Sequence, residues 1–180
     1  MTSVLRNRLI GVAIAFAIYA VDQVVKWWVD GPLGLKVPGD KLDLLPFFDF
    51  YRVHNYGVSL GMFEATSPET RWILVGVTAL IALLVTVWMF REKLLGDILG
   101  LSLILGGALG NIKDRYELGY VLDYADFHIG DFRPFLIFNI ADAAITIGVV
   151  IILARAFFMG DKEVDDMMDG KTADAAESNT

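Results

Sequence analysis

Trp72 to Asp114 reads WILVGVTALIALLVTVWMFREKLLGDILGLSLILGGALGNIKD. It holds two apolar runs, Trp72 to Phe90 and Leu94 to about Asp114, parted only by Arg91-Glu92-Lys93. About 20 apolar residues suffice for a helix to cross a bilayer. Each run is long enough, and so short a connection forces the two helices into an antiparallel hairpin. Working outward, Leu9 to Trp28 and Phe135 to Phe158 supply two more spans. Composition agrees. The 180 residues are 56% hydrophobic, with a mean hydropathy of +0.55. The apolar residues come in long runs rather than a periodic stripe, so an ordinary soluble domain is excluded.

The formal net charge is -7, and most of it is local. From Gly160 onward seven acidic residues face only Lys162 and Lys171, leaving 15 acidic and 13 basic residues elsewhere. Residues 1–159 read as a single membrane domain and residues 160–180 as an acidic, disordered tail. No basic stripe or recognition motif points to nucleic acid. With no Cys there is no disulfide, thiol nucleophile or Cys-based metal site. His54 and His128 are isolated and lack metal-ligand spacing, so neither a metal nor a cofactor is expected. Arg6 and Arg8 before an apolar stretch imitate a secretory signal, but no small-residue cleavage site follows, and the stretch reads as a retained first span.

Arg6, Arg8, Arg91 and Lys93 lie close to span ends on one side, which by the positive-inside rule is cytoplasmic, together with both termini. Two stretches then lie outside. Val29 to Arg71 contains Gly31-Pro32, Pro38-Gly39 and Pro46, all turn punctuation, and an aromatic run from Phe47 to Val53 that suggests a short strand. Tyr116 to Pro134 mixes aromatic and aliphatic residues with acids and reads as an interfacial amphipathic piece. The expected fold is mainly α: four transmembrane helices, a small extracytoplasmic β element and an outer amphipathic helix.

Charged residues at membrane depth are costly, on the order of 2.5–3.5 kcal/mol by insertion scales, and need a reason. Asp114, in Gly110-Asn111-Ile112-Lys113-Asp114-Arg115, ends the third span. Asp142, in Phe138-Asn139-Ile140-Ala141-Asp142, lies seven residues into the fourth, about 10 Å along a helix. Both fall in the outer part of the membrane on adjacent helices and could meet. Two carboxylates within a few Å do not both ionise easily; one keeps a proton while the other acts as base. Such a pair can activate water against a peptide carbonyl without a metal. Asn111 and Asn139 each precede an Asp by three residues, a spacing that puts them on its helix face. Arg115 is turned about 100° from Asp114 and better suits a neighbouring loop or a phosphate. The same carboxylates are equally compatible with structural ion pairs or a proton relay. Asp22 and Lys26, four apart in the first span, read as a structural pair. Asn55 and Gly57 read as a turn, the small residues Gly106, Gly107 and Gly110 as a packing face, and Asp97 as a snorkelling surface carboxylate.

These motifs resemble the lipoprotein signal peptidases, or signal peptidase II, which are bacterial membrane aspartyl proteases. The resemblance rests on Gly106-Gly107-Ala108-Leu109-Gly110-Asn111, Asp114-Arg115, Val121-Leu122-Asp123-Tyr124 and Phe138-Asn139-Ile140-Ala141-Asp142. Asp22-Gln23-Val24-Val25-Lys26 and the outer-loop Asn55 and Gly57 add to it. It covers nearly the whole chain except the tail. It implies a catalytic pair at Asp114 and Asp142, with Asp22, Lys26, Asn55, Gly57, Asn111, Arg115, Asp123 and Asn139 in the substrate site. It further implies a prolipoprotein substrate bearing a diacylglyceryl-cysteine, cut just before that cysteine, in contact with membrane lipid. The cyclic peptide antibiotic globomycin is the inhibitor it implies, and nothing demands more than a monomer. Val58-Ser59-Leu60 stands where such proteins commonly carry two small residues and Phe. Two other classes, a proton-coupled transporter and a non-catalytic lipoprotein-binding protein, would use the same carboxylates without proteolysis.

Overall fold

The computed structural model describes residues 3–57 and 68–177, with side chains as far as Phe158; Val58-Ser59-Leu60 lies outside them. Four long helices carry the chain: α1 (Ser3–Asp30), α2 (Pro68–Arg91), α3 (Leu95–Glu117) and α4 (Ile140–Glu177). All four contain a stretch long and apolar enough to cross a membrane, in α4 from Ile140 to Phe158. Three strands, β1 (Lys41–Leu45), β2 (Phe48–Asn55) and β3 (Val121–Phe127), form one antiparallel sheet in the order β1-β2-β3.

The third helix is the axis of the bundle. Half of its apolar stretch is buried in the protein, against 11% for α2, whose residues are mostly exposed or half-buried. Its small residues make this possible. A Cβ added at Gly106 would lie 2.5 Å from the carbonyl oxygen of Ala15 on α1, and one at Gly107 would strike the carbonyl of Ala141 on α4. Glycine at these two places lets three backbones approach, and close approach is what holds helices together where lipid is as apolar as the side chains. Met89, Ile98, Leu101 and Leu105 fill the space toward the α2–α3 turn. There Asn7 donates to the Lys93 carbonyl at 3.1 Å, so the start of α1 and the α2–α3 turn share one end of the bundle. Asp97, read as snorkelling to the surface, is instead bound by Arg155 of α4 through both carboxylate oxygens, at 2.7 and 3.0 Å.

The sheet caps the opposite end. Gly31 and Pro32 stop α1, and a second core of Val29, Leu35, Tyr124 and Ala125 seats the sheet on the helix ends. The aromatic run from Phe47 to Val53 does form a strand, and Phe48 and Phe50 pack edge to face at 5.5 Å. Three expectations need correction. Tyr116 to Pro134 does not hold an interfacial helix. It turns at Gly119, whose φ is +90, and continues as β3, where the β-branched and aromatic residues of Val121-Leu122-Asp123-Tyr124 gain a partner in β2. The fourth helix begins at Ile140 rather than Phe135, because Phe138 is held in an extended bridge to Ala125. Finally, α4 is helical to Glu177 where disorder is expected; Ala, Glu, Lys and Met in that run are competent helix formers.

Gly107→Val should destabilise the protein by about 1–3 kcal/mol, because backbone rather than a flexible side chain would have to move. Gly76→Ala, with nothing within 4 Å of the added carbon, should leave stability unchanged or slightly raised. Thermal unfolding in detergent checks both.

Candidate active site

Where α1, α3 and α4 meet the sheet, an ion cluster is shut away from solvent. Lys26 donates to Asp22 of its own helix and to Asp114 of α3, each at 2.8 Å. The exposures of Asp22, Lys26 and Asp114 are 0, 5 and 3%. One ammonium therefore serves two carboxylates, and every remaining oxygen is also satisfied. The Ala141 N–H donates to Asp22 Oδ1 at 3.1 Å. Gln23 Nε2 donates to Asp22 Oδ2 at 3.1 Å and to Asp114 Oδ1 at 3.0 Å. The Leu122 N–H reaches Asp114 Oδ2 at 3.1 Å. The expected Asp22–Lys26 pair is thus a triad that includes Asp114. Gln23, to which the sequence reading gave no role, completes it; its place beside Asp22 in a polar interruption of an apolar span was the available signal.

A second network grows from Asn111. Its Nδ2 donates to Asp142 Oδ1 at 2.8 Å, and its Oδ1 accepts from Asn139 Nδ2 at 3.3 Å and from Lys26 at 3.5 Å. Asn139 does not sit one turn inside α4 as expected; it is the residue before the helix. Its Oδ1 accepts the Asp142 N–H at 2.9 Å, while Asp142 Oδ2 accepts the Asn139 N–H at 3.3 Å. This reciprocal arrangement is a capping box, with Asp142 at the third helical position. It fixes Asp142 at the N-terminus of α4, where the helix dipole favours negative charge.

Asp123 is the third carboxylate. Its Oδ1 accepts from Asn139 Nδ2 at 2.7 Å and its Oδ2 from Asn55 Nδ2 at 3.0 Å. Asn55 Oδ1 in turn receives the Gly57 N–H at 3.1 Å, a side-chain turn that ends β2. Arg115 reaches across to the Gly57 carbonyl at 3.0 Å, the neighbouring-loop role expected of it.

The pairing of carboxylates differs from expectation. Asp114, expected to meet Asp142, has its oxygens committed to Lys26, Gln23 and Leu122, and it lines neither of the two cavities at this site. From Asp114 the connection to Asp142 runs through Lys26 and Asn111. Its side chain faces α1, three residues beyond Asn111 on α3. The carboxylate that shares a cavity wall with Asp142 is Asp123, carried there by β3. That cavity, of about 990 Å³, is lined largely by apolar groups, among them Phe135, Leu136, Phe138 and Ile147, with Asn55, Asp123 and Asp142 as polar features and Arg133 at its edge. A smaller cleft of about 320 Å³ lies between α2, α3 and α4, and Asn55, Asp142 and Thr146 line both cavities.

Burial, with the Asp142 charge added, pushes the Asp123 carboxyl up to about 7, against 3.8 unperturbed; the Asn55 and Asn139 hydrogen bonds oppose this. Between those values the folded protein holds a proton that the unfolded chain has released. This contribution to stability is therefore present at low pH and is lost as pH rises through about 7. Among the described residues no cluster of three His, Cys, Asp or Glu side chains has the geometry to hold a metal ion. The arrangement can do two-carboxylate acid–base chemistry: one acid that keeps its proton near neutrality and one carboxylate held in place by two donors, both on an apolar cavity.

The family described as signal peptidase (SPase) II matches residues 14–158. The chain is 53% identical to a lipoprotein signal peptidase of Sphingopyxis alaskensis over 158 residues, 88% of this chain and 89% of the relative. It is 49% identical to one of Rhizorhabdus wittichii, covering 88% and 91%. A bacterial membrane enzyme solved by the in meso method at 2.3 Å superposes with a TM-score of 0.71 at 29% identity, covering 82% of this chain and 87% of its own.

Lys26→Met should cost about 3–5 kcal/mol, because it strands two buried carboxylates without a counter-charge. Asp114→Asn leaves Lys26 paired with Asp22 and should cost less. Denaturation of the two purified variants in detergent gives the order.

Proposed function

The chain belongs to the signal peptidase II family, and on that premise we propose that it hydrolyses its substrate with Asp123 and Asp142 as the reacting carboxylates. It is a multi-pass bacterial membrane protein and a peptidase that removes signal peptides from prolipoproteins. The finer reading is an aspartyl endopeptidase, with the site toward the extracytoplasmic face and both termini in the cytoplasm. The scissile bond is the one just before a diacylglyceryl-modified cysteine. The observation that carries the choice of pair is that Asp123 and Asp142 line one cavity and Asp123 feels the Asp142 charge.

In this reading Asp142, held by Asn111 and the Asn139 N–H, takes a proton from a water lying between the two carboxylates. The water oxygen attacks the scissile carbonyl carbon, and Asp123 gives its proton to the carbonyl oxygen. A neutral tetrahedral diol results. Asp142 then returns its proton to the departing amide nitrogen while the C–N bond breaks. Asp123 recovers a proton from the diol, leaving the signal peptide carboxyl and the free amine of the lipidated cysteine. Asp114 takes no part in proton transfer. It holds Lys26, and through Lys26 and Asn111 it positions Asp142. The apolar cavity wall suits a substrate that arrives from the bilayer, and globomycin would compete for the same cavity. The domain extends over residues 1–159.

Incubation of the purified protein with lipidated and unlipidated precursor tests the substrate class: only the lipidated form should be cut. Asp142→Asn should lower its turnover by about 10²–10⁴. Proton-linked flux in liposomes without proteolysis would instead favour a transporter. The pH profile tests the acid. Activity should fall above about 7 as Asp123 loses its proton. Asn55→Ala removes a bond that favours the charged form. Hydrogen bonds to charged groups contribute about 1.5–3 kcal/mol, so the falling limb should move about one to two pH units higher.

A further inference from the structure

The end of β2 that carries Asn55 is fastened by a second cluster. Strand alternation turns Arg52 and His54 away from the Val53 and Asn55 face. Arg52 is buried, with 4% exposure. Its Nη1 donates to Asp30 Oδ1 at 2.7 Å and to the Leu35 carbonyl at 2.5 Å, and its Nη2 to the Tyr120 hydroxyl at 3.3 Å. Its Nε donates to His54 Nε2 at 3.0 Å. A histidine nitrogen that accepts carries no proton, so the His54 ring is neutral with its hydrogen on Nδ1. The ring lies flat on Tyr120, centroids 3.7 Å apart with 14° between planes, and meets Tyr56 edge-on at 6.3 Å.

The two ends joined here are the ones the site depends on. Tyr120 directly precedes β3, which carries Asp123; His54 directly precedes Asn55, whose amide binds Asp123 at 3.0 Å. The register pairs His54 with Leu122 and Asn55 with Val121. Among the described residues no ladder pair continues beyond Asn55, and the Arg52–His54–Tyr120 cluster fastens the sheet at the point where alignment of Asn55 is set. The charged groups facing the ring are Arg52 of β2 and, through it, Asp30 of α1; Tyr56 and Tyr120 are its aromatic neighbours. Burial and the Arg52 charge both hold His54 below the usual imidazole pKa.

We propose that His54 is a positioning residue for the cleavage reaction, locking the ends of β2 and β3 together so that the Asn55 amide stays on Asp123. The proposal rests on the assignment of Asp123 and Asp142 to the reaction. Since His54 also lines the main cavity, its test must separate positioning from direct contact with substrate.

The test is the pH profile of cleavage of a lipidated precursor by the purified full chain in detergent. The variants are His54→Ala, His54→Phe, His54→Gln, Asn55→Ala and His54→Ala with Asn55→Ala. His54→Ala should lower kcat about tenfold with little change in KM, and should move the alkaline limb about one pH unit higher, in the direction of Asn55→Ala. The double variant should match Asn55→Ala alone, because residues that act through one another are not additive. His54→Gln keeps an acceptor for Arg52 and should lie nearer the parent than His54→Phe, which leaves a buried N–H unpaired. A higher KM with the limb unmoved would assign His54 to substrate contact and overturn the proposal. So would a limb shift that adds to that of Asn55→Ala, or a loss of activity that tracks only the melting temperature. If Asn55→Ala itself leaves the limb in place, the underlying assignment of Asp123 fails, and that result is distinct from a failure of His54 alone.

Discussion

Three side chains that water would keep charged meet where three helices and a sheet converge, and only one of them is positive. Lys26 sits 2.8 Å from both Asp22 and Asp114. Desolvating an ion costs several kcal/mol, and the cost is offset only when the charges are paired and their other oxygens bonded. The donors that finish the pairing come from everywhere around: Gln23 of α1, Leu122 of β3 and Ala141 of α4. The cluster therefore cannot form until the helices and the sheet are all in place. It ties the start of α4 to the end of α1, and β3 to α3.

The geometry of the proposed catalytic pair is a consequence of that joint. Asn111 is shared between Lys26 and Asp142, and Asn139 between Asp142 and Asp123. Two amides thus set the two carboxylates relative to each other without a cation between them. Where Asp114 holds the Lys26 ammonium in direct contact, Asp123 is hydrogen-bonded to two amides, and burial with the charge of Asp142 outweighs the more distant Lys26. The difference in partners separates a structural carboxylate from one that keeps its proton near neutrality. The apolar wall of the cavity beside the pair lowers the local dielectric, which strengthens each interaction along it.

Much of the fold was legible because hydrophobic length is a strong signal. The four spans and the tight Arg91-Glu92-Lys93 turn follow from counting apolar residues, and apart from the run of α4 on to Glu177 the helix ends move by six positions or fewer. Phe47 to Val53 announced a strand by its aromatics. Val121 to Phe127 carried similar signals, with Gly119 as the turn before it, but its interspersed acids suggested an amphipathic helix. That misreading hid where Asp123 sits. On a helix or in a loop, Asp123 has no defined neighbour; on β3 it is delivered to the N-terminus of α4. Asp114 and Asp142 looked like partners because depth in the membrane is readable from sequence, whereas which way α3 turns each side chain depends on close packing at Gly106 and Gly107. The resemblance had already gathered Asp22, Lys26, Asn55, Gly57, Asn111, Arg115, Asp123 and Asn139 around one site, and the structure brings all of them to one end of the bundle.

Asp123, rather than Asp114, is the proposed reacting partner of Asp142. The most direct measurement compares single-turnover cleavage of a lipidated precursor by Asp123→Asn and Asp114→Asn, each normalised to folded protein. Asp123→Asn should lose about 10²–10⁴ in turnover at unchanged melting temperature. Asp114→Asn should melt at a lower temperature with most turnover per folded molecule retained. Cleavage surviving in Asp123→Asn while Asp114→Asn is folded and inactive would contradict that assignment.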